Sequence, residues 1–135
     1  MPIACQVRRD DRLIIVSHSW AIPDSEFLAS YARLLADEDI DKSYDVLIDL
    51  RQSDSSQRTS ATLREFAELV RQHYTETTKR PKVAVVAPGD LSFGLARMYE
   101  AYSDIATMEF AVFRDIGAAT SWLGAPAGLL SESGE

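Results

Sequence analysis

A single cysteine, Cys5, rules out an internal disulfide, and with only His18 and His73 beside it no His/Cys set has the spacing of a structural zinc or iron–sulfur site. No metal or cofactor is therefore expected. Cys5 lies in the apolar run 3–7 and reads as a buried strand thiol rather than a reactive one. No apolar run approaches the roughly 18 to 20 residues of a membrane span. Arg8, Arg9, Asp10, Asp11 and Arg12 stand where a secretory signal would carry its apolar stretch, so the expectation is a soluble, cytoplasmic protein. Cations are scarce as well. With 14 Lys+Arg against 21 Asp+Glu the net charge is -7, which disfavours any footprint that neutralises a row of phosphates, and nucleic acid is not an expected partner. The chain has no internal repeat, no Gly-x-Ser-x-Gly elbow, and no phosphate loop with its glycine spacing and lysine.

What is present suits one compact core. The 135 residues are 46% hydrophobic and 26% charged, which predicts a single domain over residues 1–124. The Gly/Ser/Glu-rich remainder, 125–135, is expected to be a disordered acidic tail. The acid excess is local. Asp24, Glu26, Asp37, Glu38, Asp39, Asp41 and Asp45 face only Arg33 and Lys42 within residues 24–45. Such a run is either a solvated face or a docking surface for a basic partner.

Hydrophobic periodicity gives the element order β-β-α-β-α-β-α-β-α. Residues 3–8 and 12–18 read as a tight antiparallel hairpin around Arg9-Asp10-Asp11. Phe27, Leu28, Tyr31, Leu34 and Leu35 then recur at helical spacing after Asp24 or Ser25 as N-cap. Residues 46–50 form a buried strand, followed by a polar loop over 51–60. Thr62-Leu63-Arg64-Glu65 has the form of a capping box opening a helix that ends near Thr77, with Lys79, Arg80 and Lys82 placed for its negative dipole end. Residues 83–87 form the clearest strand, and Pro88-Gly89-Asp90 turns it into a helix with Leu91, Leu95, Met98 and Tyr102 on one stripe. A last strand over 108–113 and a short helix over 116–123 close the domain. This alternation predicts an α/β fold, a mostly parallel five-stranded sheet with four helices and an antiparallel first strand.

Within that order, three stretches resemble the bacterial SpoIIAA-like family of STAS-type domains: Ser43-Tyr44-Asp45-Val46-Leu47-Ile48-Asp49-Leu50-Arg51, the segment from Val85 through Pro88-Gly89-Asp90-Leu91-Ser92-Phe93-Gly94-Leu95-Ala96-Arg97-Met98-Tyr99 to Tyr102, and Val112-Phe113-Arg114-Asp115 with Trp122-Leu123-Gly124. The resemblance runs from about residue 3 to residue 124. It implies a right-handed β/α superhelix with helices largely on one side of the sheet, related in shape to lipid-binding CRAL-TRIO domains, and it implies no catalytic set. In anti-anti-sigma factors of this type a serine in an Asp-Ser-Ser-Gly setting is phosphorylated. Asp54-Ser55-Ser56-Gln57 is the counterpart here, with Gln57 in place of the glycine and a shorter loop, which makes Ser55 and Ser56 candidate phosphorylation sites or simply turn and cap residues.

Candidate binding residues follow from where open α/β sheets hold ligands, at the carboxyl ends of their strands. Asp49 and Arg51 end one strand; Gly89, Asp90, Ser92 and Phe93 start the next helix, with Arg97 and Tyr99 further along it. Each has a simpler reading. Asp90 would be an N-cap and Gly89 a positive-φ residue, and Arg97 would pair with Glu100 or Asp104 on its own helix. A hydrolase would need Ser17 or Ser92 as nucleophile, His18 as base and Asp49 as its orienter. An apolar cleft would need Phe93, Met98, Tyr99 and Tyr102 against Trp20 or Trp122. The expectation is a non-enzymatic binding domain. It would serve regulatory protein–protein interaction through residues 37–45 and 51–60 or, alternatively, carry a small lipid or apolar anion beside the helix at 90–104, with homodimerisation possible.

Overall fold

The computed structural model describes residues 3–74, 80–103 and 107–126. Five strands, β1 (Ile3–Arg8), β2 (Leu13–Ala21), β3 (Asp45–Asp54), β4 (Lys82–Val86) and β5 (Glu109–Phe113), lie in one sheet in chain order. β1 pairs antiparallel with β2, and every later pairing is parallel. The helices are α1 (Asp24–Ala36), α2 (Ser60–His73), α3 (Asp90–Tyr102) and α4 (Ile116–Leu123). The expected order and sheet are thus present.

Because each parallel strand is laid beside the last in one direction, crossovers of a single hand put their helices on one face. Phe27 and Tyr31 of α1, Leu63, Phe66 and Val70 of α2, and Tyr99 of α3 accordingly share one core with Ile14, Val16, Val46 and Val83 of the sheet. Among the described residues no strand follows α4. This helix folds back over the other face, where Ile116 and Ala119 cover Leu13, Ile15, Leu47, Ala84 and Val86. Both faces of the central strands are thereby apolar, which is why their sequences lack alternation.

Several boundaries differ from the sequence-based expectation. β3 continues to Asp54, so residues 51–54 of the expected 51–60 loop are strand; Ser19, Trp20 and Ala21 of β2 pair with Gln52, Ser53 and Asp54 beyond a register shift after Ser17. Trp20 sits at φ 65° there, a left-handed conformation unusual for a bulky residue. The N-cap of α2 is Thr59, not Thr62: its Oγ1 accepts from the backbone N–H of Thr62 at 3.2 Å and donates to Asp24 Oδ2 at 2.8 Å. Thr59→Ala is expected to cost about 1 kcal/mol in urea denaturation through loss of that cap. The helix stops at His73, short of Thr77, which with Lys79 lies outside the described residues. Arg80 instead approaches Glu109 at 4.0 Å, and Lys82 Nζ donates to the Trp122 carbonyl. Cys5 is exposed, because β1 is the edge strand and its middle residues Ala4, Cys5 and Gln6 lack cover. Partial burial, with Asp37 nearby, still pushes its thiol pKa up. Of the expected tail, residues 127–135 lie outside the described residues.

Candidate functional site

The stripe assigned to α3 from its large apolar residues is rotated by one position. Leu91 and Met98 are exposed, and the buried positions are Ser92, Ala96 and Tyr99. Ser92 can face inward because its hydroxyl has a partner there: Ser55, itself buried, lies 2.7 Å away. Small side chains at 92 and 96 leave the sheet below incompletely covered. A hollow of about 70 Å³ remains, floored by Ile48 and Val85 and walled by Phe66, Leu95 and Tyr99.

One side of this hollow is polar. His18, Ser53, Ser55, Arg58 and Ser92 line it, contributed by the carboxyl-terminal part of β2, the end of β3, the loop after it and the first turn of α3. His18 is 5% exposed, and its Nε2 shares a 2.6 Å hydrogen bond with the Tyr31 hydroxyl. Burial first, then the charge of Arg58, lower the His18 pKa to about 4 against a smaller opposing pull from Asp49, so the imidazole is neutral near pH 7. Burial pushes the Tyr31 hydroxyl up, out of reach of ordinary pH. Arg58 lies over the Phe27 ring at 4.0 Å and donates to Asp24 Oδ1 at 2.9 Å. Partial burial would raise the Asp24 pKa, but hydrogen bonds from Thr59, Thr62 and Arg58 outweigh it and hold the carboxyl below its usual range.

A second hollow of about 70 Å³, deeper toward the amino ends of the strands, is lined by Val46, Val70, Val83 and Met108. It shares Tyr31, Ile48, Phe66, Tyr99 and Phe110 with the first, so one layer of aromatic rings divides the two. Within it Phe66 stands 4.6 Å from Tyr31 and 5.0 Å from Tyr99, centroid to centroid.

Of the candidate binding residues read from the sequence, Ser92 and Tyr99 reach this site, and so do Ser55, the candidate phosphorylation site, and His18. Asp49 and Arg51 do not. Ser17 registers with Asp49, so His18, the next residue, points to the opposite face. Asp49 instead takes Arg51 Nε and NH2 at 3.0 Å each, closing a two-point ion pair within its own strand. Of the residues a hydrolase would need, Ser92 and His18 share the hollow, while Ser17 and Asp49 face the other side of the sheet. Asp90 is not a cap: Gly89 holds that position at φ −78°, without positive φ, and Asp90 accepts from Arg114 at 2.6 Å. Phe93 packs under the Arg114 guanidinium at 4.2 Å rather than in the hollow. Arg97 pairs with Glu100 at 2.9 Å, its simpler reading, and Asp104 lies outside the described residues. The expected cleft of Tyr102, Met98 and a tryptophan is absent too: Trp20 is 73% exposed and Trp122 packs on Phe113 across the sheet. Ser56 is exposed, with its N–H on Asp54, whereas Ser55 is shielded and bonded to Ser92. Residues 37–45 lead into β3 and residues 51–60 end and follow it, so the two segments taken as one interaction surface lie at opposite ends of that central strand. Sequence reasoning missed Phe27, Arg58, Phe66 and Phe110; the usable signal was Ser92 and Ala96 four apart beside Tyr99 at i+7.

Among the described residues, no helix is long and apolar enough to cross a membrane, and no group of His, Cys, Asp and Glu could hold a metal ion. The architecture is an α/β domain with a SpoIIAA-like fold. The chain is similar in structure to an uncharacterized protein of the DUF3478 family from Shewanella loihica PV-4, whose crystal structure has a SpoIIAA-like fold: TM-score 0.56, 19% sequence identity, covering 90% of this chain and 91% of the other. No family model and no curated protein matches the sequence.

Proposed function

We propose that this domain is a non-enzymatic cytoplasmic binding protein that holds a small, mainly apolar molecule in the hollow beneath α3. The observation carrying this reading is the hollow itself, apolar on its floor and polar along one side, at the carboxyl ends of parallel strands where α/β sheets bind ligands. Its size argues against a long acyl chain. At about 70 Å³ it has half the space of the roughly 150 Å³ cavity known to take up benzene. The carrier idea is therefore narrowed to compact ligands.

Xenon tests the space directly, since it enters dry apolar cavities of this kind. Under xenon pressure, methyl NMR shifts are expected to concentrate on Ile48, Val85 and Leu95, and an unresponsive set of these methyls would remove the ligand reading. A second reading, recognition of another protein, is favoured by Trp20 and by Leu91 at 55% exposure, both at the carboxyl edge that carries the hollow's polar side. Native mass spectrometry separates them: a retained small molecule supports the first, and a bare mass with a stoichiometric protein partner supports the second.

A further inference from the structure

We infer that the ligand of this hollow carries a carboxylate and that Arg58 reads it. The inference rests on the binding function proposed above and adds the chemistry of the head group. The ionisable and polar side chains lining the hollow are His18, Tyr31, Ser53, Ser55, Arg58, Ser92 and Tyr99, the last with its hydroxyl pKa pushed up by burial, and among the described residues none of the lining is acidic. His18 and Tyr31 satisfy one another, and Ser55 and Ser92 do the same, each pair as neutral hydrogen-bonding groups. Among the described residues Arg58 is thus the single charge on the hollow's wall. Its positive field is already felt by His18, whose basicity it helps to lower.

The guanidinium is held rather than free to swing. It is stacked on Phe27, its side chain is 6% exposed, and Asp24 takes NH1. Asp24 does not line the hollow and is occupied as well by the Thr59 hydroxyl. Of the five N–H groups of an arginine, Asp24 engages one, leaving a planar donor edge of fixed orientation that suits the two oxygens of a carboxylate. An ammonium in the same place would meet the Arg58 charge with no acidic wall residue to offset it. An apolar tail smaller than benzene would rest on Ile48, Val85 and Ala96, with the hydroxyls of Ser53 and the Ser55–Ser92 pair near the head.

The test is a titration of the full chain with butanoate, butanamide and butylamine, followed by methyl NMR at Val85 and Leu95. Butanoate is expected to bind about tenfold or more tightly than butanamide, and butylamine not to saturate. Arg58→Met, which keeps an unbranched apolar side chain without the guanidinium, is expected to abolish that preference. Asp24→Asn gives the opposite sign: it releases the engaged edge of Arg58 and is expected to tighten butanoate binding about fivefold without altering butanamide. Arg97→Gln, on the outer surface, leaves all three unchanged. Equal binding of butanoate and butanamide, or no gain in Asp24→Asn, overturns the role of Arg58 while the hollow stands as a site. No binding of any of the three, with no response of the hollow's methyls, overturns the inference together with the binding function beneath it.

Discussion

Phe66→Ala is expected to lose about 3–5 kcal/mol of stability, the range for removing a buried aromatic ring from a core. Phe66 is the hub of the helix-side ring cluster, with Phe27 edge-on at 5.0 Å, Tyr31 tilted at 4.6 Å and Tyr99 stacked at 5.0 Å. It also separates the two hollows, so its loss joins them into one space larger than either of their volumes of about 70 Å³. The joined cavity approaches or exceeds the roughly 150 Å³ that admits benzene. Benzene is therefore expected to raise the midpoint of urea unfolding in Phe66→Ala, by the usual mass-action link between binding and stability, and to do little for the unsubstituted protein. An unaltered midpoint in the variant would mean that α2 and α3 settle onto the sheet and erase the space.

Acid is expected to weaken the fold through His18. Its folded pKa of about 4 lies below the ordinary 6.5, because burial and Arg58 disfavour the imidazolium. Above pH 6.5 the ring is neutral folded and unfolded, and its effect is nil. As the pH falls from 6.5 toward 4, the unfolded chain takes up a proton that the folded chain refuses, and stability declines by about 3 kcal/mol in all. The depressed carboxyls of Asp24, Asp41 and Asp54 act lower, losing their contribution only as pH falls through folded values below 3.8. Urea unfolding at pH 7, 5.5 and 4.5 isolates the histidine. His18→Gln, which keeps a hydrogen-bonding group for Tyr31, is expected to flatten the decline between 6.5 and 5, and an unaltered slope would assign it elsewhere.

The contrast between α3 and the strands shows what kind of information each level holds. The strand runs 46–50 and 83–87 are apolar at nearly every position, and a strand buried on both faces needs nothing more to be recognised, whatever packs on it. In α3 the same logic failed, since Leu91 and Met98 were read as core while Ser92 occupies the inward position. A serine is polar by composition but buried wherever a partner hydroxyl meets it, and that partner, Ser55, lies 37 residues away along the chain. Asp49 failed for a similar reason. The sequence puts it at a strand end, whereas β3 runs on to Asp54 and leaves it mid-strand; the face it points to depends on register with Ser17, and its engagement depends on Arg51 two residues on.

The sequence alone determined the order of elements, the parallel sheet with its antiparallel first strand, the likeness to SpoIIAA-like domains and the lack of a disulfide, because these follow from local periodicity and residue counts. Only the tertiary structure decided the site. Arg58 against Asp24 and Phe27, Ser92 against Ser55, and the ring layer around Phe66 join residues from separate elements across a hollow. A hollow is a property of packing, set by side chains from several elements failing to meet, and no single stretch of the chain encodes it.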